Sequence, residues 1–241
     1  MTYTPELFAG KTAVVTGGTT GIGAGVALML AQLGAEVIAI GFNPEALEVP
    51  AGLKLRAQQM DVTDTDALRT LFSELPRLDI LVNCAGVIRR VEEHEIDVFE
   101  KVIDINLNGT MRCCRLARDK LAASEGVIVN TASMLSFFGG GLVPAYSASK
   151  GAVMQLTKSL AIAYAAEGIR VNAVAPGWIA TPLTAALQQD PQRSQPILQR
   201  TPLGRWGQPQ DIAQAVVFLC SPAAAVITGI ILPVDGGYLV A

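Results

Sequence analysis

The sequence is poor in residues that bind metals. It has one histidine, His94, in the polar run RRVEEHE, and four cysteines, none of them at the spacing of a metal-ligand pair. A tetrahedral zinc site needs four such ligands, usually in closely spaced pairs. We therefore expect no metal centre and no disulfide framework, and we expect free thiols typical of a reducing compartment.

Charged residues are also few. Asp, Glu, Lys and Arg make up 16% of the 241 residues, and the formal net charge is −3. A slightly acidic protein does not attract nucleic acid or an anionic membrane surface. No apolar run is long enough to cross a membrane, and the start, MTYTPELFAGK, lacks the basic region and apolar core of a signal peptide. We expect a cytoplasmic protein that acts on a small molecule.

The sequence does contain an alternation of apolar, strand-like runs with helical patterns. Such alternation predicts right-handed crossovers and a parallel sheet with helices on both faces. We predict one doubly wound α/β domain over residues 1–241, with a proline-rich lid at 178–207 that holds one or two short helices. The predicted strands are 12–16, 36–40, 53–59, 79–83, 126–132, 170–176 and 230–235, and the predicted helices are 22–33, 64–75, 97–123, 144–167 and 209–220.

A glycine-rich turn, TGGTTGIG, joins the first predicted strand to the first predicted helix. Gly17, Gly21 and Gly23 would let the backbone turn tightly and approach a pyrophosphate, which the N-terminus of the helix attracts. A glycine cluster alone is a weak signal, but ligands bind beyond the carboxyl ends of parallel strands, where this turn stands. The turn therefore predicts a dinucleotide site. The other residues of the turn assigned to this site are Thr19, Thr20 and Ile22.

A tyrosine and a lysine lie four residues apart in the helical pattern YSASK. The spacing places Tyr146 and Lys150 on one helix face, an arrangement also common on ordinary amphipathic helices. Ser133 favours a catalytic interpretation, because it follows a predicted strand at the edge of the sheet where substrates bind. A tyrosine with a pKa of about 10 is a poor acid–base at neutral pH. A neighbouring ammonium and a cationic nicotinamide would both stabilise its phenolate, so that the tyrosine could exchange a proton with an alcohol that Ser133 also holds.

Together these motifs resemble the short-chain dehydrogenases/reductases along the whole chain. The resemblance also rests on NCAG (83–86), DINLNGT (104–110) and APGWIATPL (175–183). It implies one Rossmann-type domain with seven parallel strands, and an oxidoreductase that interconverts a secondary alcohol and a ketone with NAD(P). Tyr146 would be the general acid–base, Ser133 would orient the carbonyl, Lys150 would bind the nicotinamide ribose and depress the pKa of the tyrosine, and Asn106 would hold a water that relays protons.

The same resemblance implies further contacts with the cofactor. Asp61 and Val62 match the pair that receives the adenine, while Cys84 departs from the usual NNAG motif of the family. The other implied cofactor contacts are Asn83, Ala85, Gly86, Tyr146, Lys150, Pro176, Gly177, Ile179 and Thr181.

The interval between Lys11 and Lys54 contains no lysine or arginine. It includes Thr20 and Gly41, where relatives that prefer NADP often carry a cation for the 2′-phosphate. It also lacks the acidic residue that usually binds the NAD ribose about 20 residues after the glycine turn. Because a phosphate needs a guanidinium or ammonium partner, we predict NAD in preference to NADP. Phe42 and Asn43 would lie beside the ribose, and a distant arginine could still fold back onto it.

Four stretches resemble the sugar-acid dehydrogenases of the gluconate, 2-keto-3-deoxygluconate and 2-deoxygluconate type within that family: AGVIRR, SMLSFFGG, QRSQPILQRTPLGRWG and VDGGYLVA. The resemblance implies a hydroxy or keto acid as the substrate. A carboxylate favours a bidentate arginine, and Arg90, Arg193 and Arg205 are the candidates, although a lone arginine is more often a solvated surface charge. Two alternatives stay open: NADPH-dependent reduction of a 3-oxoacyl thioester or another hydrophobic ketone, and a dinucleotide-binding protein without turnover.

The helix predicted over 144–167 carries small or apolar residues on nearly every side. A helix without a polar face is buried, and a partner helix across a two-fold axis would cover what the sheet does not. The resemblance implies a homotetramer built partly from this helix and partly from the C-terminal segment, with a dimer as the alternative.

Overall fold

A computed structural model describes residues 3–241 of the protein. Within this range seven strands form one parallel sheet in the order β3-β2-β1-β4-β5-β6-β7. The predicted doubly wound sheet is confirmed, and the seven predicted strands match those observed to within two residues at each end. The strands are β1 (Thr12–Thr16), β2 (Glu36–Gly41), β3 (Leu55–Gln59), β4 (Ile80–Asn83), β5 (Val127–Thr131), β6 (Arg170–Pro176) and β7 (Ile231–Val234).

Helices cover both faces of the sheet. In the described part of the chain the α-helices are α1 (Gly21–Gln32), α2 (Thr65–Glu74), α3 (Ile96–Ile103), α4 (Gly109–Ala122), α5 (Pro144–Tyr164), α6 (Ala185–Gln188), α7 (Pro191–Arg200) and α8 (Pro209–Cys220). The helix predicted over 97–123 is not continuous, because a π-helical segment, Asp104–Asn108, separates α3 from α4. Such π-bulges are frequent at functional sites, and this one contains Asn106. The lid predicted at 178–207 holds α6 and α7.

Successive strand residues point to opposite faces of the sheet, and both faces are covered. Val15 packs into a core with α1 and α8, whereas its neighbour Val14 packs into a core with α2, α4 and α5. Burial on both sides explains why the strand sequences are apolar runs without polar alternation.

The strand order reverses between β1 and β4. From β1 the chain proceeds outward to β2 and β3 on one side, and β4 to β7 follow on the other. At such a switch point the connections after the two strands diverge and leave a crevice at their carboxyl ends. The glycine turn after β1 and the Cys84–Gly86 segment after β4 border this crevice, and Ser133 lies two residues past the end of β5.

No helix of residues 3–241 has the length and apolar character needed to span a bilayer, and in that range no three His, Cys, Asp or Glu side chains cluster as metal ligands would.

The amino end of the sheet holds a buried carboxylate. Asp79, just before β4, is 3% exposed, and it accepts hydrogen bonds from Arg77 Nε at 2.8 Å, Lys11 Nζ at 3.0 Å and the Thr12 N–H at 3.0 Å. Burial opposes ionisation, but these three donors outweigh it and hold the pKa of Asp79 below its ordinary value. The ionised side chain therefore stabilises the fold.

We expect Asp79→Asn to lower the free energy of unfolding at pH 7 by about 1–3 kcal/mol, because the amide cannot accept from all three donors. Since the folded pKa lies below the unfolded value of about 3.9, this contribution is present above that value and is lost as the pH falls through the folded pKa. Denaturant titrations at pH 7 and at a pH below 3.9 measure the difference, which should shrink in acid. Asp66→Asn, at a carboxylate 89% exposed, is the control, and equal stability of Asp79→Asn and wild type at pH 7 contradicts the prediction.

Candidate active site

A groove of about 410 Å³ opens at the crevice between β1 and β4. The glycine turn forms one side of it, the end of β2 forms another, and the segment after β4 forms the third. Most of the residues predicted to bind a cofactor are brought together here. They are Gly17, Thr19, Thr20, Gly21, Ile22, Gly23, Phe42, Asn43, Val62, Ala85, Gly86 and Thr181.

The backbone of the glycine turn fits a pyrophosphate. Gly17 has a φ of +60°, and a Cβ there would lie 2.7 Å from the backbone nitrogen of Ala85. Among the described residues no side chain caps the N-terminus of α1, and its first turn has no acidic residue. The N–H groups of that turn are therefore available to an anion. These residues fit a dinucleotide.

Several predicted cofactor residues lie elsewhere. The side chain of Asn83 is 2% exposed and donates to Asn130 Oδ1 at 2.9 Å inside the sheet, so it does not line the groove. Asp61 is not among the residues that line it either, and its carboxylate accepts from the Thr63 N–H at 2.8 Å. Pro176, Gly177 and Ile179 line the adjoining cavity instead.

This second cavity, of about 360 Å³, contains the catalytic candidates. Ser133 and Tyr146 line it together with Arg90 and Arg193, and Thr181 lines both it and the cofactor groove. Most of the remaining lining is apolar. These side chains come from the loop after β5 and from the lid: Met134, Leu135, Phe138, Leu142, Val143, Trp178, Leu183 and Leu187.

Lys150 lies behind Tyr146 on α5 and is 4% exposed. Its Nζ donates to the Thr131 carbonyl oxygen at 2.6 Å and stands 5.6 Å from the centre of the Tyr146 ring. Burial lowers the pKa of Lys150 to about 8, a shift that nearby Cys84 partly opposes. The structure thus places Tyr146 and Lys150 beside each other, and the charge of Lys150 is sensitive to pH.

In the protein without its cofactor, the pKa of Tyr146 lies above its ordinary value. Burial raises it, the hydrogen bond from Ser133 and the charge of Arg90 lower it, and Glu93 adds to the rise. The depressed pKa that the sequence predicts therefore requires more positive charge than these residues supply.

Asn106 is fully buried in the π-helical segment. Its side chain accepts from the Val87 N–H at 2.8 Å and donates to the Val87 carbonyl at 2.9 Å and to Ser149 Oγ at 3.1 Å. Its own carbonyl accepts from Thr110 Oγ1 at 2.8 Å. The side chain thus ties the segment after β4 to α5, and the predicted water relay stays a prediction.

The three candidate arginines separate into two groups. Arg90 and Arg193 line the cavity, and neither forms an ion pair with any residue of the described chain. Arg205 does not line it, because its Nη1 lies 2.7 Å from Asp211 Oδ2 in an ion pair outside the cavity. The predicted contact of Arg205 with the substrate stays a prediction.

Comparisons with known proteins agree with this geometry. A family model described as Enoyl-(Acyl carrier protein) reductase matches residues 17–239. A 2-dehydro-3-deoxy-D-gluconate 5-dehydrogenase of Pseudoalteromonas atlantica is 44% identical, and the match covers 95% of this chain and 96% of that protein. The chain belongs to the short-chain dehydrogenase/reductase family. This confirms the predicted resemblance and the oxidoreductase class.

Other relatives of this short-chain dehydrogenase/reductase also act on hydroxylated acids according to their names. A cis-4-hydroxycyclohexanecarboxylate dehydrogenase of Sinomonas cyclohexanicum is 42% identical over 97% of this chain and 98% of that protein. A crystal structure from Agrobacterium tumefaciens, named as a 2-deoxy-D-gluconate 3-dehydrogenase and with NADP bound, is 42% identical. It superimposes with a TM-score of 0.92 over 99% of this chain and 100% of that one.

Sequence patterns did not indicate Glu93 as part of the site. In the run RRVEEHE it resembles a solvated glutamate, yet it is fully buried between the segment that carries Arg90 and the N-terminus of α5. Its position depends on tertiary packing that local sequence does not report.

Proposed function

We propose that this enzyme oxidises a secondary alcohol of a hydroxylated carboxylic acid of the sugar-acid type, or reduces the corresponding ketone, with NAD. The observation that carries the substrate class is the pair Arg90 and Arg193 in a largely apolar cavity beside Tyr146. Burial and repulsion by Arg193 both lower the pKa of Arg90. Tyr146 and Glu93 act in the opposite direction. Arg90 is half-buried and Arg193 is exposed, and a substrate carboxylate between them would relieve the repulsion of the two like charges.

The chain's residues would divide the chemistry as follows. In oxidation, Tyr146 as phenolate takes the proton of the substrate hydroxyl, and the Ser133 hydroxyl donates a hydrogen bond to the same oxygen. Lys150, held by the Thr131 carbonyl, stabilises the phenolate and binds the ribose of the cofactor. A bound nicotinamide supplies the hydride acceptor. Asn106 holds the segment after β4 and the proton-relay water beside α5.

A preference for NAD is supported by the charges around the groove. No lysine or arginine is among the described residues that line it. Arg56 is exposed and lines a different cavity with Glu36 and Glu74. A 2′-phosphate would find no cation there. The related structures with bound NADP leave this preference to be tested on this chain's own residues.

We expect Phe42→Arg to shift the ratio of kcat/KM for NADP over that for NAD upward by about tenfold or more, because a charge-assisted hydrogen bond contributes about 1.5–3 kcal/mol. Phe42 is 55% exposed at the groove, so it has room for the longer side chain. Position 41 is unsuitable, because a side chain on Gly41 would overlap Thr19 Oγ1. Initial rates with both cofactors measure the ratio.

Val49→Arg is the matched control for Phe42→Arg. It adds the same charge on the same connection but outside the residues that line the groove. An unchanged cofactor ratio in Phe42→Arg, or an equal shift in both variants, would show that position 42 does not face the ribose.

The assembly and the location stay proposals. Ile162 on α5 is 82% exposed and Val240 near the C-terminus is 88% exposed, which supports a homotetramer that covers both, with a dimer as the alternative. Light scattering on the purified protein distinguishes the tetramer from the dimer.

A cytoplasmic location is consistent with the free cysteines.

The decisive experiment is an initial-rate panel on the purified enzyme. Gluconate, 2-deoxygluconate and 2-keto-3-deoxygluconate are each offered with NAD and NADP, beside acetoacetyl thioester with NADH and NADPH. Turnover of a sugar acid supports the proposal. The apolar lining keeps thioester reduction as a second candidate, and activity on the thioester alone would overturn the sugar-acid assignment.

A further inference from the structure

A carboxylate outside the catalytic residues links two sides of the active site. Glu93 lies in the turn Glu92–His94 and is fully buried, whereas both neighbours are exposed. Its Oε1 accepts from the Arg89 N–H at 2.7 Å, and its Oε2 accepts from the Tyr146 N–H at 2.8 Å. Each oxygen therefore holds a backbone group that belongs to, or adjoins, a residue lining the substrate cavity.

The bond to Tyr146 satisfies an end of the catalytic helix. Tyr146 lies in the first turn of α5, where backbone N–H groups have no partner within the helix. The residue at the cap position is Val143, which has no side-chain oxygen, and no side-chain cap forms there within the described chain. A carboxylate at a helix N-terminus is also favoured by the helix dipole. The cap that α5 lacks locally thus comes from the segment that carries Arg90.

The segment that Glu93 holds is strained. Val91 has a φ of +72°, a conformation that a β-branched residue rarely adopts. Its side chain is 63% exposed, so packing does not hold it there. Backbone bonds do: the Val91 N–H donates to the Leu142 carbonyl at 2.8 Å, and His94 Nε2 lies 3.0 Å from the Gly141 carbonyl oxygen. Strain of this kind persists only where surrounding contacts enforce it.

We propose that Glu93 is a positioning residue that fixes the guanidinium of Arg90 relative to the hydroxyl of Tyr146. By holding the backbone of Arg89 and that of Tyr146 at once, it sets the distance between the group that binds a carboxylate and the group that exchanges the proton. The enzyme then selects acids whose carboxylate and reacting carbinol are separated by that distance. This inference rests on the proposed function.

The direction in which KM changes in Glu93→Gln distinguishes a positioning role from a purely electrostatic one. Glu93→Gln removes a negative charge near Arg90 and near the substrate carboxylate, which by itself would strengthen binding of an anion. Loss of the clamp has the opposite effect, because the amide presents an N–H₂ to one of the two N–H donors and the strained segment relaxes. We expect KM for the sugar acid to rise by about tenfold to a hundredfold, the change in affinity that corresponds to loss of one charge-assisted hydrogen bond between Arg90 and the carboxylate.

Two comparisons make this measurement specific. KM for an uncharged analogue, the methyl ester of the same acid, should change much less. The ester has no carboxylate, so its binding does not depend on the charge of Arg90. Glu92→Gln, the same substitution at the exposed neighbour, should leave both KM values unchanged. A Glu93→Gln enzyme whose KM for the acid is unchanged or lowered overturns the proposal.

A second readout needs no turnover. If Glu93 clamps the segment, trypsin should cut Glu93→Gln after Arg89 or Arg90 faster than it cuts wild type or Glu92→Gln, with the other sites unaffected. In the wild type, the amide protons of Arg89 and Tyr146 should exchange slowly with solvent. Because this measurement uses the wild-type enzyme alone, it does not require that the variant folds. Fast exchange of both amides overturns the clamp. Slow exchange together with no sugar-acid turnover would instead reject the proposed function and leave the clamp standing.

Discussion

Replacing Tyr146 by phenylalanine should lower kcat by about 10³-fold, within the 10²–10⁴ that a general acid–base contributes, and should leave the dinucleotide bound. The substitution removes only the hydroxyl. Tyr146 lines the substrate cavity beside Ser133 and Arg90 and does not line the cofactor groove. Proton exchange with the substrate therefore fails while the dinucleotide site stays intact.

Single-turnover kinetics and a fluorescence titration with NADH measure the two quantities separately. Tyr164→Phe is the matched control, because it is the same change at the other tyrosine of α5, which is buried with its ring against Arg118 and away from both cavities. It should keep full activity. A Tyr146→Phe enzyme that retains a tenth of the wild-type rate would show that another group moves the proton.

The strands and the glycine turn were predictable because each is dictated locally. Runs such as TAVVT and DILVN are apolar on both sides of the pleat, which only a sheet covered on both faces tolerates. The turn after β1 needs glycine because Gly17 adopts a φ of +60° with the backbone of Ala85 against it. The four-residue spacing of Tyr146 and Lys150 likewise follows from helix geometry alone.

Other features depend on contacts between distant segments and were not predictable. The charge of Arg205 appears free in the sequence, but Asp211 on α8 neutralises it. Asn83 matches a cofactor motif, yet its side chain faces Asn130 in the neighbouring strand. The π-helical turn at Asn106 was not predictable, because the apolar spacing over 97–123 is that of one continuous helix.

The cofactor site likewise has one feature that the sequence reveals and one that it does not. The absence of cations between Lys11 and Lys54 is visible in the sequence and, with an exposed Arg56, it holds in the structure. The crowding of Gly41 by Thr19 is not visible, because these two residues are brought together by the parallel pairing of β1 with β2. This contact explains why glycine stands at the strand end and directs cofactor engineering to Phe42.

Replacing Lys150 by methionine should weaken binding of NADH by about tenfold or more and lower kcat by about 10²-fold, since the loss of a charged hydrogen-bond donor costs about 1.5–3 kcal/mol. The side chain of methionine fills most of the space of the lysine stem, so packing changes little. Burial lowers the pKa of Lys150 to about 8. In the wild type the ammonium is therefore fully present below that pH and is lost as the pH rises through it.

The affinity of the wild-type enzyme for NADH should accordingly fall above about pH 8, whereas the weak affinity of Lys150→Met should not change with pH over that range. Fluorescence titrations from pH 6 to pH 10 measure both curves. Lys158→Met, at an exposed lysine two turns further along α5, is the control and should follow the wild type. A wild-type affinity that stays constant through pH 8, with Lys150→Met parallel to it, would show that Lys150 supports Tyr146 alone and does not contact the cofactor.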